Sequence, residues 1–217
     1  MKGTKMSNTK DLMETLITGD GEKLVGQVKS AIDSGMAPGE ILSTALIPGM
    51  DIVGDKMEKG DMFIPEVLMA AQAMGQAVAL IKPMLGEGES ASAGKVIVGT
   101  VKGDLHDIGK NLVAMMMESA GFAVVDLGVD ISPEAFIQAI EDENPDIVGL
   151  SALLTTTMPA MKETIDGIKE KGLRDSVKII IGGAPVNQIF ADEVGADAYA
   201  PDAGAASKMA KNMLKVA

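Results

Sequence analysis

The chain of 217 residues contains no cysteine. Disulfide bonds, thiolate metal sites and cysteine nucleophiles are therefore excluded. Histidine occurs once, at His106, so any chemistry that needs an imidazole must use that residue. Aromatic residues are also scarce, with four phenylalanines, one tyrosine and no tryptophan. The seventeen methionines instead predict a core filled by flexible aliphatic side chains.

Positive charge is limited too, because 19 lysines and arginines stand against 31 aspartates and glutamates, and no dense basic run occurs. Nucleic acids and anionic membrane surfaces attract clustered positive charge, so we expect neither as a partner. No apolar run approaches 18 residues, which predicts no transmembrane helix. The first ten residues, MKGTKMSNTK, lack the apolar stretch of a secretory signal. The cytoplasm is the expected location.

The first part of the chain, residues 1–88, has helical periodicity only. Apolar residues make up 47% of the whole sequence, which is sufficient for a well-buried core. Four helices with short connections predict an antiparallel bundle. The predicted helices are one capped at Asn8–Thr9 and ended by Gly19, one over residues 21–32, one from Pro38 that bends at Pro48, and one opened by Pro65.

The segment GEGESASAG, residues 86–94, is small and polar throughout. Such composition is typical of a flexible linker, and we place the domain boundary inside it, between residues 88 and 89. Short apolar runs follow, each succeeded by a helix-like segment, and this alternation predicts a doubly wound α/β domain with a five-stranded parallel sheet of flavodoxin-like order. The predicted strands are 95–101, 123–127, 146–151, 178–181 and 197–200, and the predicted helices are 109–120, 133–143, 158–171, 186–193 and 203–215.

In a sheet of this kind, ligands bind at the carboxyl ends of the strands, where the strand order reverses. Unusual residues follow three of the predicted strands. The first strand is followed by Gly103-Asp104-Leu105-His106-Asp107-Ile108-Gly109, the third ends in Ser151-Ala152-Leu153-Leu154-Thr155-Thr156-Thr157, and the fourth is followed by Gly182-Gly183. These segments therefore form the predicted binding site.

Neutral imidazole is a good ligand for a transition metal. A carboxylate two residues away can accept the other ring N–H and fix the tautomer, and Asp104 suits that role. With no second histidine and no cysteine, a metal at His106 would have to arrive inside a cofactor that supplies most of its ligands. Each piece also has a purely structural interpretation: a solvated Asp-x-His loop, a tight turn at Gly182-Gly183, and helix caps at Ser151 and the threonines.

Taken together, these residues resemble the cobalamin-binding signature Asp-x-His-x-x-Gly, Ser-x-Leu, Gly-Gly. Here the signature is Asp104-x-His106-x-x-Gly109, Ser151-x-Leu153 and Gly182-Gly183. The intervening segments of 41 and 28 residues fit the family spacing. Gly60–Val67 (GDMFIPEV) is similar to the loop and helix of the family's helical cap. Nearly the whole chain thus resembles the corrinoid proteins of anaerobic methyltransferase systems, and it is similar to the cobalamin module of methionine synthase.

The resemblance implies a bound cobalamin or related corrinoid, which is methylcobalamin in the loaded state. His106 would be the lower axial cobalt ligand and Asp104 would hydrogen-bond its ring. The family's third relay member is a hydroxyl, which falls on Thr157, a departure if serine is expected. The further cofactor-binding residues that it implies are Asp107, Ile108, Gly109 and Leu153. The nucleotide tail would contact Ser151 and Thr155, and it would lie close to Gly182 and Gly183. The upper corrin face would be covered by Phe63, Met69, Ala70 and Ala73, although Phe63 and Met69 could equally be bundle core.

The function implied by the resemblance is a methyl carrier rather than an enzyme in its own right. It would accept a methyl group on Co(I) from a substrate-specific methyltransferase and pass it to a second one that serves folate or coenzyme M. An ATP-dependent reductive activator is a further implied partner. We expect Asp104 to exchange a proton with the His106 ring during this cycle. Methylated or quaternary amines are the first guess for the donor, but methanol and methoxylated aromatics use similar carriers and the residues do not distinguish them.

Two other functions use the same cobalamin-binding fold. A cobalamin sensor or storage protein carries no methyl group, and sensors contain a DNA-binding module for which this acidic chain has no basic segment. A mutase subunit needs a large catalytic barrel as partner and usually lacks the helical cap. Both alternatives stay open from the sequence, and the methyl carrier is favoured.

Overall fold

The computed structural model describes residues 2–85 and 93–215, with side chains from residue 9 onward. The chain divides into two compact units, residues 1–91 and 92–217. The predicted boundary at residues 88 and 89, and most of the predicted linker, lie outside the described residues. Each unit is built from the type of element that its sequence pattern predicts.

The first unit contains only helices among its described residues. They pack through apolar stripes spaced three and four residues apart, as on α5, where Val67, Ala70, Ala71, Met74 and Ala77 are buried. Helix α5 packs against α1, α2 and α4. The helices are α1 (Lys2–Ile17), α2 (Gly21–Asp33), α3 (Pro38–Ile41), α4 (Ile47–Glu58) and α5 (Ile64–Ile81).

The first helix starts earlier than the sequence analysis predicts. Asn8 and Thr9 lie inside α1, because the residues before them contain no proline and continue the helix back to Lys2. The second and fourth predicted helices are found as α2 and α5, and Glu66 caps α5 by accepting a 2.9 Å hydrogen bond from the N–H of Phe63.

The third predicted helix continues through Pro48, which lies in the first turn of α4. A π-helical turn, Leu42–Leu46, joins α3 to α4, and the N–H of Ile47 donates to the carbonyl of Leu42. Proline in a regular helix clashes with the carbonyl four residues earlier, and the wider π turn accommodates it. The hydroxyls of Ser43 and Thr44 donate to the carbonyls of Gly39 and Glu40 at 2.8 and 2.6 Å.

By length and composition alone, the segment Ile64–Met84 could cross a membrane. The sequence analysis predicts no transmembrane helix, because no uninterrupted apolar run approaches 18 residues. Buried core helices of globular proteins meet the same criterion. The buried stripe of α5 and its packing against three helices are those of a core helix. The segment therefore gives weak evidence for a membrane span.

The second unit is a five-stranded parallel sheet with helices on its faces. The strand order is β2-β1-β3-β4-β5, the flavodoxin-like order that the sequence predicts. The elements are β1 (Lys95–Thr100), α6 (Ile108–Ser119), β2 (Ala123–Asp126), α7 (Pro133–Glu143), β3 (Ile147–Ser151), α8 (Met158–Glu170), β4 (Lys178–Gly182), α9 (Gln188–Val194), β5 (Ala198–Ala200) and α10 (Ala203–Leu214).

The central strands are buried on both faces, which explains their continuous apolar runs. One face packs around Phe136, Ile165 and Ile181, and the other around Met117, Phe122 and Ile180. Helix α9 begins two residues later than predicted, since the side chain of Asn187 accepts from the N–H of Phe190 at 2.9 Å and caps it there.

Candidate functional site

The carboxyl ends of β1, β3 and β4 lie side by side. Thr100 pairs with Ser151, and Ser151 pairs with Gly182, so the three segments that the sequence singles out leave the sheet at one edge. The strand order reverses between β1 and β3. This is the position at which open α/β sheets bind ligands.

Asp104 is the centre of this edge, and its side chain is fully buried. Its Oδ1 accepts from the N–H of His106 at 3.1 Å and lies 2.7 Å from Nδ1 of the same residue. Its Oδ2 accepts from the hydroxyl of Thr157 at 2.7 Å and from the N–H groups of Leu153 and Leu154 at 2.8 and 3.3 Å. One carboxyl group thus joins the loop after β1 to the loop after β3.

The hydrogen bonds decide the ionisation of this carboxyl group. Burial raises the pKa of Asp104, but the donors Thr157, Leu153 and His106 outweigh burial and hold the pKa well below its ordinary value. The carboxyl group is therefore ionised at neutral pH and acts only as an acceptor. In the hydrogen bond between the two side chains, Nδ1 of His106 is therefore the donor and Asp104 is the acceptor.

The imidazole of His106 is fixed on one side and open on the other. The backbone carbonyl of His106 accepts a hydrogen bond from the buried hydroxyl of Thr100 at 2.8 Å, and Nδ1 of the ring is hydrogen-bonded to Asp104. The side chain is still 52% exposed. A neutral ring that donates through Nδ1 carries its lone pair on Nε2, so His106 presents a ligand atom away from the carboxylate.

Thr157 is buried directly before α8, and its hydroxyl reaches Asp104. The sequence analysis places the third relay hydroxyl on this residue, and the structure brings the two side chains together. Threonine supplies the same donor as serine while its methyl group fills additional space. The departure from serine therefore leaves the contact intact.

Removing only this hydroxyl tests the contact. Thr157→Val keeps the shape but removes one of the three donors to Oδ2 of the buried Asp104 carboxylate, so we expect the free energy of unfolding to fall by about 1.5 to 3 kcal/mol, the value of a hydrogen bond to a charged group. Thr157→Ser keeps the hydroxyl and should retain most of that stability. Urea unfolding measures the free energy of unfolding of both variants. Equal losses in Thr157→Val and Thr157→Ser would show that packing, and not the hydroxyl, determines the contribution of Thr157 to stability.

The other residues predicted to bind the cofactor lie around this centre. Asp107 precedes α6 and accepts from the side chain of Asn111 at 3.1 Å. Ile108 is 73% exposed and Leu153 is 42% exposed, so both present apolar surface beside His106. Ser151 is half-buried at the end of β3, and Thr155 is exposed.

The predicted glycines differ in what the fold requires of them. Gly183 has φ +130°, and a Cβ atom there would lie 1.8 Å from the carbonyl oxygen of Ala152, whereas one at Gly182 would lie 3.0 Å from that of Ala200. A Cβ atom at Gly109 would meet nothing within 4 Å. The fold therefore requires a glycine at position 183. It does not require one at position 109, where the absent side chain leaves open space at the surface near His106.

Two residues that support the histidine loop are missing from the sequence prediction. Thr100 holds the carbonyl of His106. Asp130, which has φ +55°, accepts from the N–H of Gly103 at 2.7 Å and donates its own N–H to the carbonyl of Asp104 at 3.0 Å. Thr100 ends β1 and Asp130 follows β2, and these positions at the carboxyl edge of the sheet are the one signal that could have indicated them.

The donor set limits the kind of metal that could bind. Within residues 2–85 and 93–215, no group of three or more histidine, cysteine or acidic side chains could hold an ion. One imidazole gives a single bond, so a metal here must bring its other ligands. An exposed imidazole, a flanking apolar surface at Ile108 and Leu153, and open space at Gly109 fit a flat metal-containing cofactor of the corrinoid type.

The four residues predicted to cover the corrin are not equivalent in the helical unit. Phe63 and Met69 are 70% and 52% exposed, whereas Ala70 and Ala73 are 0% and 1% exposed. The two alanines lie on the buried side of α5, so Phe63 and Met69 are the two predicted cap residues whose side chains are exposed.

Comparisons with known proteins agree with this geometry. Residues 94–207 match a B12 binding domain, and residues 9–82 match a second family also described as a B12 binding domain. The chain is 41% identical over 212 residues to a corrinoid protein of Desulfitobacterium hafniense, with 96% of this chain and 98% of the relative covered. It is 43% identical over 205 residues to a dimethylamine corrinoid protein of Methanosarcina barkeri, covering 94% and 96%.

Solved structures give the same result. A cobalamin-binding protein from Desulfitobacterium hafniense superposes with a TM-score of 0.82 at 33% identity, over 94% of this chain and 97% of the other. The methanol:cobalamin methyltransferase complex MtaBC from Methanosarcina barkeri gives 0.80 at 32% identity, over 95% and 79%. With matches over both units and relatives of the same length, the chain belongs to the B12-binding family of corrinoid proteins.

Proposed function

We propose that this protein is the methyl carrier of a corrinoid-dependent methyltransferase system, with His106 as the lower axial ligand to cobalt. The observation that carries the proposal is an imidazole whose Nδ1 is 2.7 Å from a buried carboxylate, and whose side chain is 52% exposed at the edge where the strand order reverses. When bound, the corrinoid supplies the cobalt on which a methyl group is held. The chain itself is a carrier and not a catalyst.

The residues around His106 determine which form of the ring is presented. Asp104 is ionised and keeps the ring proton on Nδ1, which raises the basicity of Nε2 as a ligand. Thr100 holds the carbonyl of His106, and Thr157 keeps Asp104 in place. We assign no residue of the chain as a general acid or base toward the methyl donor.

The remaining contacts are assigned from the position of each residue at the edge. Asp107, Ile108, Gly109 and Leu153 border the corrin next to His106. Ser151, Thr155, Gly182 and Gly183 follow the displaced nucleotide tail between β3 and β4. Phe63 and Met69 of the helical unit approach the upper corrin face, since their side chains are exposed.

The partners follow from the chemistry and from the relatives. A substrate-specific methyltransferase delivers the methyl group, and the methanol:cobalamin methyltransferase complex MtaBC is an example of such a partnership. A second methyltransferase removes it to folate or coenzyme M, and an ATP-dependent activator restores Co(I). Dimethylamine appears in the names of relatives 39% to 49% identical to this chain, so we propose a methylated amine as the methyl donor. We propose the cytoplasm as the location of the protein.

Reconstitution of the full chain with cobalamin tests the assignment of His106. In the Co(II) state, protein labelled with nitrogen-15 histidine should show a superhyperfine splitting that differs from that of unlabelled protein, because the labelled ring is bound to cobalt. The single histidine makes the result unambiguous. A splitting from the cofactor's own dimethylbenzimidazole in both samples would contradict the proposal.

The same proposal predicts that the second unit binds corrinoid alone. We place the domain boundary at residues 88 and 89, and a fragment of residues 89–217 should fold and bind cobalamin with histidine attached, since Asp104, His106 and Thr157 all lie in it. Loss of the exposed Phe63 and Met69 with the first unit should speed air oxidation of bound Co(I). A folded fragment that binds no corrinoid would show that the site needs residues 1–88.

A further inference from the structure

A buried lysine lies close to the histidine loop without belonging to the site described above. Lys110 is in the first turn of α6, and its side chain is 3% exposed. Its ammonium group donates to a carboxylate oxygen of Asp126 and, at 2.6 Å, to the side-chain oxygen of Asn111. Lysine is rarely buried unless it is paired, so this contact is a specific feature of the unit.

The partners of Lys110 are themselves held in place. Asp126 is the last residue of β2, and its other oxygen accepts from the N–H of Gly128 at 2.9 Å. Asn111 donates to Asp107, the residue that precedes α6. These bonds connect the start of α6 to the end of the neighbouring strand β2.

His106 lies two residues before α6, so the position of this helix start determines where the histidine backbone lies. On the other side, the loop is held by Asp104, which bonds to the β3–α8 loop. A loop with both ends fixed has few positions available. If the start of α6 shifted, the bond between Thr100 and the carbonyl of His106 would lengthen, and the ring would turn away from Asp104.

We infer that Lys110 is a positioning residue for His106, which it acts on by tethering the first turn of α6 to Asp126 at the end of β2. The inference rests on the proposed role of His106 as the cobalt ligand. The alternative is that the ion pair stabilises the unit in general and has no particular effect on the histidine. The two roles differ in what happens to the His106 ring when the pair is broken in a protein that remains folded.

Lys110→Met in the full chain is the first variant. Methionine keeps the buried aliphatic stem and removes the ammonium group, while Asp126 is 41% exposed and can be hydrated. Arg174→Met is the matched control, because Arg174 pairs with Asp197 at 2.7 Å, with 22% and 20% exposure, next to the amino ends of β4 and β5. Both variants lose a partly buried ion pair of the same unit.

Two measurements distinguish the roles. Long-range proton–nitrogen NMR of nitrogen-15 histidine protein without corrinoid reports the tautomer and surroundings of the single ring. Equilibrium binding of cob(II)alamin reports the affinity. For Lys110→Met we expect changed ring-nitrogen shifts and a dissociation constant about 10- to 100-fold higher, as for other residues that orient a metal ligand. Arg174→Met should leave both unchanged at a comparable loss of melting temperature.

The expected pattern supports the inference. Ring shifts and affinity in Lys110→Met that match those of Arg174→Met would overturn it and leave only a general stabilising role. If the wild-type chain binds no cob(II)alamin, the proposed function fails, and the ring shifts alone then decide the inference by the same comparison. The two failures are therefore distinguishable.

Asp126→Asn provides the test if Lys110→Met does not fold. The amide keeps the shape and an acceptor for Lys110, so the effect should be smaller and in the same direction on both measurements. The double variant Lys110→Met/Asp126→Asn, where it folds, should be no worse than Lys110→Met alone, since both changes remove one contact. Additive losses of affinity, or wild-type ring shifts in Asp126→Asn, would overturn the inference.

Discussion

Replacing His106 by alanine should remove the protein's nitrogen ligand from cobalt and leave a folded protein. The side chain is 52% exposed and hydrogen-bonds Asp104, so we expect little packing to be lost. Corrinoid affinity should fall by at least the roughly 10- to 100-fold that loss of a supporting residue costs. Bound Co(II) should be easier to reduce, because a basic axial ligand stabilises the higher oxidation state.

Electron spin resonance of the Co(II) state measures the first effect and a redox titration the second. Leu105→Ala is a suitable control, because Leu105 is 72% exposed in the same loop and the variant should keep the histidine nitrogen splitting. If His106→Ala shows the wild-type spectrum and potential, His106 is not the ligand, whatever the affinity of the variant.

The second large effect should come from Gly183→Ala. The added methyl group would lie 1.8 Å from the carbonyl oxygen of Ala152, and φ at this position is +130°. Overpacking and backbone strain each cost about 1 to 3 kcal/mol, so we expect the second unit to lose about 3 to 5 kcal/mol of its free energy of unfolding. Urea denaturation monitored by circular dichroism measures this loss.

Gly109→Ala is the matched control, because the same methyl group would meet no protein atom within 4 Å. Its stability should stay the same or rise by up to about 1 kcal/mol. Cobalamin binding should nevertheless weaken, because we propose that the corrin occupies the space beside Gly109. Equal stability losses in the two variants would contradict the assignment of Gly183 to the fold, and unchanged binding in Gly109→Ala would contradict the assignment of Gly109 to the ligand.

The sheet and the centre of the site could be predicted from local pattern. Continuous apolar runs alternating with helical segments determine a parallel sheet, and its strand ends bring Asp104, His106 and Thr157 to one edge. The topology brings the three loops together, whereas the choice of Thr157 among the three threonines comes from the resemblance to the corrinoid proteins.

The supporting contacts could not be predicted in the same way. The role of Asp130 arises only when the loops after β1 and β2 meet, and that of Lys110 only when α6 packs beside the end of β2. Ala70 is on the buried side of α5 because of the exact rotation of that helix. Contacts of this kind depend on side-chain positions to within a few ångströms. The spacing of residues along the sequence does not determine positions that closely.

The π turn at Leu42–Leu46 has a consequence for the evolution of chain length in this family. Such a turn accommodates one residue more than a regular helical turn, so it acts as an insertion that leaves the faces of α3 and α4 in register. Ile41 before it and Met50 and Val53 after it are all buried. A homologue that lacks one residue here should also lack Pro48, because the regular helix that the deletion restores would reject proline at that position.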